Sequence, residues 1–202
     1  MRKKADSSVE MHPILAERWS PRSFDGAAEL SNVDLTAMLE AARWAPSSMN
    51  LQPWRFVVSR RGDYKFAQMI DAMTGFNKVW APKASSLLLV GAVTTQADGS
   101  HRPGALYDAG LAVSLLTVEA HHRGQVVHQI GGFDHEAVKR DFALPDGITP
   151  IVILAIGKQA PADALDDPKL IDREISARSR VPLDELILSD SFQFSQEDAV
   201  AS

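Results

Sequence analysis

Two short, unbroken apolar runs, Ser86 to Val93 and Ile151 to Ile156, bracket a long apolar helical stretch from Gly104 to Arg123, and this arrangement constrains the fold more tightly than any other feature. A strand with one wet face alternates apolar and polar residues, so a run without alternation marks a central strand covered on both faces. Two such strands require layers on either side, which predicts a layered α/β or α+β core. The helical stretch closes with His121, His122 and Arg123 ahead of Gly124, as suits cations and a glycine at the negative end of a helix. Asp108 and Glu119 interrupt it, and a central Asp costs about 2.5 to 3.5 kcal/mol on membrane-insertion scales. A buried helix at a dimer seam is therefore expected, not a membrane span.

Elsewhere the pattern predicts a helix starting at Ser31-Asn32-Val33-Asp34 and carried by Leu35, Met38, Leu39 and Ala42. Pro46 closes it and hands residues 47–52 to an irregular loop, where side chains can face a ligand. A strand is expected over residues 55–59 and a second helix over 63–73, with Gly75 and Pro82 punctuating a segment that could wall a site. Trp44 and Trp54 read as core residues. Thr94 to Pro103 is polar with Gly and Pro, so an exposed loop and an open pocket are expected there. Residues 189–202 lose apolar periodicity and read as a polar, mobile tail, with Phe192 and Phe194 able to dock locally.

The 202 residues, 45% hydrophobic and 23% charged, suit one domain burying roughly 70% of its unfolded surface. A net charge of -5 gives no basic field for nucleic acid or a lipid surface. With no cysteine, disulfides, thiolate nucleophiles, iron–sulfur clusters and zinc-thiolate sites are excluded. Met1 to Ser8 is cationic without an apolar run behind it, so it is no secretory signal and a cytoplasmic location is expected.

Metal and nucleotide motifs are also wanting. His121, His122, His128 and His135 fall close together, but adjacent helical residues point about 100° apart, unlike the i and i+4 pair of a helical metal site. No metal is expected. Gly-x-Ser-x-Gly, Walker and Gly-x-Gly-x-x-Gly patterns do not occur.

Two segments carry binding chemistry. Arg18-Trp19-Ser20-Pro21-Arg22 offers guanidinium forks and a hydroxyl, which suit a phosphate. Ser47-Ser48-Met49-Asn50-Leu51-Gln52-Pro53-Trp54 offers side-chain amides, which suit a planar ring rich in carbonyls and N–H groups. The two together suggest a flavin mononucleotide. Alone, each has a plain reading: Arg18 and Arg22 as solvated cations, Asn50 and Gln52 as amides serving their own loop, Gly131-Gly132 as a turn.

With Ala41-Ala42-Arg43-Trp44-Ala45-Pro46, Gly131-Gly132-Phe133-Asp134 and Arg178-Ser179-Arg180 followed by Val181-Pro182-Leu183-Asp184-Glu185-Leu186, all in order, the chain resembles the FMN-dependent nitroreductase family from about His12 to Ile187. The resemblance implies an α+β fold, a three-layer α/β/α sandwich whose mixed, mainly antiparallel sheet is flanked by helices, with a long central helix at a dimer interface. Residues 10–188 would form the FMN-binding domain. Arg18, Trp19, Ser20 and Arg22 would contact tightly bound FMN, Arg22 near the ring's pyrimidine edge, and Arg178 and Arg180 would complete the phosphate site. Ser47, Ser48, Asn50 and Gln52 would reach the flavin from the other subunit of a homodimer. Gly131 and Gly132 would let backbone approach the ring, the Gly132 N–H facing N5, where hydride enters and leaves. Gly131 stands where many relatives carry an acid, so any electrostatic help from a carboxylate is missing. Gly132 and Arg22 are thus the expected catalytic residues, Arg22 stabilising charge on reduced flavin. The implied activity is ping-pong transfer from NADH or NADPH to nitroaromatic, quinone or related flat acceptors. A flavin-sequestering protein, or a specialised flavin dehydrogenase or dehalogenase, remains an alternative.

Overall fold

The computed structural model describes residues 3–188; the tail expected over 189–202, with Phe192 and Phe194, lies outside the described residues. In chain order the elements are α1 (Pro13–Glu17), α2 (Asn32–Arg43), β1 (Trp54–Arg60), α3 (Tyr64–Ala72), α4 (Asn77–Trp80), β2 (Ser86–Val93), α5 (Ala105–His122), β3 (Val126–Ile130), α6 (His135–Asp141), β4 (Ile148–Gly157), α7 (Pro168–Ile175) and α8 (Leu183–Leu186).

The four strands form one sheet in the order β1-β2-β4-β3, every neighbouring pair antiparallel. Alternation within the central strands then fills both faces. Leu88, Val90, Leu154 and Ile156 pack with Met38 of α2 and Ala112 and Leu116 of α5, whereas Leu87, Leu89, Ile153 and Ala155 pack with Met69 of α3, Val138 of α6 and Trp80. Helices thus cover both faces of the sheet, the α/β/α layering expected. A fully buried Leu contributes on the order of 2 kcal/mol, so β2, buried over nearly its whole length, is a major source of stability.

β4 begins at Ile148, earlier than the apolar run at Ile151, because Thr149 and Pro150 obscure the pattern. Pro150 is tolerated here because the register slips between Val90 and Gly91, which puts Gly91 opposite Pro150 and Val90 opposite Val152. A Cβ on Gly91 would come within 2.9 Å of the Ile148 side chain, so only glycine fits the bulge. The Ser31 start of α2 holds as read: its hydroxyl accepts the Asp34 N–H at 3.0 Å and so caps the helix.

Trp54 is buried, but Trp44 is 74% exposed, which corrects its assignment to the core. It follows the last turn of α2 on the outer side of the helical layer. α5 explains why an apolar outer side exists at all. Its Ala105, Ala109, Ala112, Val113 and Leu116 face the core, while Leu106, Tyr107 and Leu115 remain exposed.

Candidate active site

Arg18 leaves the end of α1 in extended backbone with Arg22 in the stretch beyond it, and Arg178 and Arg180 follow the end of α7. The fold brings these two ends of the chain together. Burial, then the neighbouring Arg180 guanidinium, holds Arg18 below the ordinary arginine range, and burial, then Arg18 and Arg180, does the same to Arg178. Among the described residues, no ion pair within 4.0 Å involves Arg18, Arg22, Arg178 or Arg180. Arg22 is likewise held down by burial, but the Glu174 carboxylate opposes this. Arg18 and Arg178, partly desolvated and repelled by cationic neighbours, with the exposed Arg180 beside them, form the donor set a phosphate monoester would satisfy. Trp19 lies half-buried in the same cluster, its ring 4.1 Å below the Lys3 ammonium.

The stretch between these arginines is clamped. The carboxylate of Glu174, 1% exposed, accepts the backbone N–H groups of Arg22 at 2.9 Å and Ser23 at 3.2 Å. Accepting two N–H groups compensates a buried carboxylate for lost water. From β3, His128 Nδ1 donates to the Pro21 carbonyl at 3.0 Å, with its ring 4.5 Å from that of Trp80. Burial holds the His128 imidazole down at about 4, helped by the Arg22 guanidinium and opposed by the Pro21 and Ser20 carbonyls. His128 is therefore a neutral structural residue, not a ligand. Among the described residues, no three His, Cys, Asp or Glu side chains gather where a metal could bind.

Gly131 and Gly132 follow β3 directly. A Cβ at Gly131 would meet nothing within 4 Å, whereas one at Gly132 would come 3.0 Å from Thr74 Oγ1 and 3.3 Å from Asn77 Nδ2. Gly131 is thus open toward solvent, and Gly132 must be glycine for Thr74 and Asn77 to stay where they are. The Thr74 N–H also donates to the Gly132 carbonyl at 2.9 Å. The segment around Gly75 therefore lies against Gly132. Thr74 and Asn77 went unnoticed in the sequence, where a half-buried Asn after a glycine turn reads as turn chemistry.

The amide loop is strained. Met49, Asn50 and Gln52 have φ of 50°, 56° and 45°, a region costing non-glycine residues on the order of 1 to 3 kcal/mol each and concentrated at functional sites. Internal bonds hold it: Gln52 N–H donates to Ser47 Oγ at 3.0 Å, and Gln52 Nε2 donates to the Asn50 carbonyl at 2.9 Å and to Asn50 Oδ1 at 3.0 Å. Gln52 thus serves its own loop, as the plainer reading allowed, while Asn50, Gln52 and Met49 are all exposed. Ser48, Leu51 and Pro53 line a cavity of about 200 Å³ with Arg102 and Asp108. The loop over residues 94–103 closes on itself through a Thr95–His101 pairing and is largely exposed, and its Gln96, His101, Arg102 and Pro103 line the same cavity as Ser48 and Leu51.

The cations and the amides are not brought together within one chain. The Ser48 N–H bonds Asp108 in the first turn of α5, while the charge of Arg18 reaches His121 in its last turn. Thirteen residues of helix span about 20 Å. The two groups also stand beside opposite edges of the sheet, β1 following the amide loop and β3 flanking Pro21.

Three comparisons bear on this arrangement. The family model described as "Nitroreductase family" matches residues 15–85, a span holding both the arginine and the amide segments. "Putative NAD(P)H nitroreductase YdgI" of Bacillus subtilis (strain 168) is 29% identical over 186 residues, covering 73% of this chain and 87% of that protein. Among solved structures, an oxidoreductase containing FMN superposes with a TM-score of 0.85 at 30% identity, over 96% of this chain and 97% of that one. A nitroreductase family protein from Clostridium difficile 630 superposes at 0.68 and 22% identity, over 89% and 97%. The segments that match, and the fold that carries them nearly end to end, agree on one assignment: the chain belongs to the nitroreductase family.

Proposed function

We propose that the protein is a cytoplasmic, homodimeric FMN oxidoreductase that takes reducing equivalents from NADH or NADPH and passes them, by a ping-pong mechanism, to nitroaromatic, quinone or related flat acceptors. The observation that carries this reading is the gathering of Arg18, Arg178 and Arg180 from both ends of the chain, with Arg22 nearby and, among the described residues, no ion pair to any of the four. The names of the similar proteins, which speak of FMN and of NAD(P)H, support the cofactor and the reductant. The bound flavin supplies the hydride chemistry that these side chains lack.

The chain's own residues would bind and orient. Arg18, Arg178 and Arg180, with Ser20 and Trp19, hold the phosphate and ribityl end. Arg22, fixed by Glu174, stands where a half-buried cation counts most, because burial lowers the local dielectric. Gly132 presents backbone to the ring, with Thr74 and Asn77 as polar neighbours. Ser47, Ser48, Asn50 and Gln52, some 20 Å from Arg18 along α5, serve the site of a second copy. The exposed apolar residues Trp44, Met49, Leu106, Tyr107 and Leu115 support that pairing, since burying them offers a hydrophobic interface. The exposed, polar 94–103 loop supports acceptors of differing size.

A spectrum of the purified protein, followed by two anaerobic titrations, tests this. NADH or NADPH should bleach a bound yellow chromophore, and a quinone or nitroaromatic should restore it. Bound flavin that neither nucleotide bleaches makes the protein a flavin sequesterer. Bleaching with no recolouring by flat acceptors points to a specialised dehydrogenase or dehalogenase.

A further inference from the structure

Lys3 stands inside the cation cluster although its sequence surroundings give no sign of it. Its ammonium donates to the Ser176 carbonyl at 2.7 Å and lies over the Trp19 ring. Its own carbonyl accepts from Arg178 Nη1 at 2.8 Å, and the same Nη1 donates to the Ala16 carbonyl at 2.7 Å. The Ala5 N–H also donates to Ala16 O at 2.7 Å. Residues 3–5 are thus strapped onto the end of α1 and the stretch after α7.

The strap holds a cation where cations already crowd. Burial holds the Lys3 ammonium below its ordinary value; Glu174 opposes this, and the Arg22 and Arg178 guanidinia add to it. An ammonium has three donors, of which Ser176 takes one, and an aromatic face attracts the charge without accepting a conventional hydrogen bond. Arg178, in contrast, commits Nη1 to the strap. Glu174 offsets part of this crowding, but its carboxylate accepts the Arg22 and Ser23 N–H groups, so a further anion beside Lys3 and the two guanidinium groups would be favoured.

We propose that Lys3 is a further ligand for a bound phosphate monoester, delivered by the strap, and that Arg178 anchors that strap through Nη1 in addition to its place in the phosphate site. The proposal rests on the flavin reading and names the flavin's phosphate as the group Lys3 contacts. Both free donors of the ammonium are available to phosphate oxygens, and the Trp19 ring keeps the side chain in place.

The test compares FMN with riboflavin, which lacks the phosphate, on deflavinated wild type, Lys3→Ala and Lys3→Arg. K3A should weaken FMN at least about tenfold and leave riboflavin within about twofold, while K3R should recover FMN affinity to within about threefold, as expected for a charge-assisted contact. The melting temperature of the flavin-free protein should stay within about 2 °C, because the half-buried Lys3 side chain packs on Trp19 outside the hydrophobic core. FMN affinity unchanged in K3A, riboflavin weakened as much as FMN, or a flavin-free protein markedly less stable would each overturn the proposal. Wild type that binds FMN with K3A unchanged sinks this inference alone; wild type that binds neither ligand sinks the flavin reading with it.

Discussion

The backbone N–H of Ser48 donates to the carboxylate of Asp108, a residue 5% exposed, at 3.2 Å. This bond ties the strained amide loop to the first turn of α5, so the helix that presents an outer apolar face also sets where Asn50 and Gln52 stand.

Asp108→Ala should therefore act at a distance from the arginines. Leaving the Ser48 N–H without its acceptor costs about 1 to 3 kcal/mol, a fall of roughly 2 to 10 °C in melting temperature for a chain of this size. FMN affinity should drop at least about tenfold, and Asp108→Asn, which keeps an acceptor, should lie between. A full-affinity D108A measured by flavin fluorescence titration would separate the loop from the cofactor.

Arg180 and Arg178 should differ. Among the described residues Arg180 donates only to the adjacent Ser179 carbonyl, at 2.7 Å, whereas Arg178 bridges to Lys3 and Ala16. Arg180→Ala should weaken FMN by about 10- to 100-fold, the worth of a charge-assisted bond, with riboflavin binding and flavin-free stability little changed. Arg178→Ala should also lower the flavin-free melting temperature, by about 4 °C for the loss of roughly 1 kcal/mol or more. Equal behaviour of the two variants would contradict the distinct contacts.

Complementation tests the shared site. A subunit carrying Asn50→Asp and Gln52→Leu, paired with one carrying Arg18→Ala and Arg180→Ala, should retain one intact flavin site per heterodimer although neither homodimer retains any. Isolated heterodimer that binds no more FMN than its parents would place both groups in the same subunit's site.

His128 predicts a pH dependence. Its folded value near 4 lies below the ordinary 6.5, so between these the unfolded chain binds the extra proton and acid favours unfolding. Stability is fully present above about pH 6.5 and falls as the pH drops toward 4. A separation of roughly 2.5 units at about 1.4 kcal/mol each bounds this loss at about 3.5 kcal/mol. Urea unfolding of His128→Gln, which can still donate to Pro21, should show a shallower fall between pH 7 and 4.5. Parallel curves for the two proteins would remove His128 as the cause.

The layers were readable where one interaction dominated. Ser86 to Val93 is apolar throughout because both its faces are covered, and Ser31 announces α2 through its own cap. β4's first residues were hidden because Pro150 is admissible only opposite the Gly91 bulge, which is a property of two strands paired across 59 residues of chain. β3 is five residues long and mixes His128 and Gln129 into its run, too little for a periodic signal. The site divides in the same way. The arginine and amide segments carry their chemistry in residue type, but Lys3, Glu174, Thr74 and Asn77 matter only through contacts that folding creates, such as the 151 positions between Ser23 and Glu174. Trp44 was misjudged because an aromatic next to a helix end does not say which layer it faces.

On a chain whose net charge is -5, gathering Lys3, Arg18, Arg22, Arg178 and Arg180 in one place makes the molecule electrically lopsided. An approaching dianion is repelled by most of the surface and drawn toward this one region, so encounters are steered before any contact forms. Such steering fades once the ions of the solution screen charge over about 10 Å, near 0.1 M salt. Cofactor capture by the empty protein should then slow with added salt far more than riboflavin capture does, and the speed with which newly made chains acquire their flavin becomes a matter of ionic strength as much as of affinity.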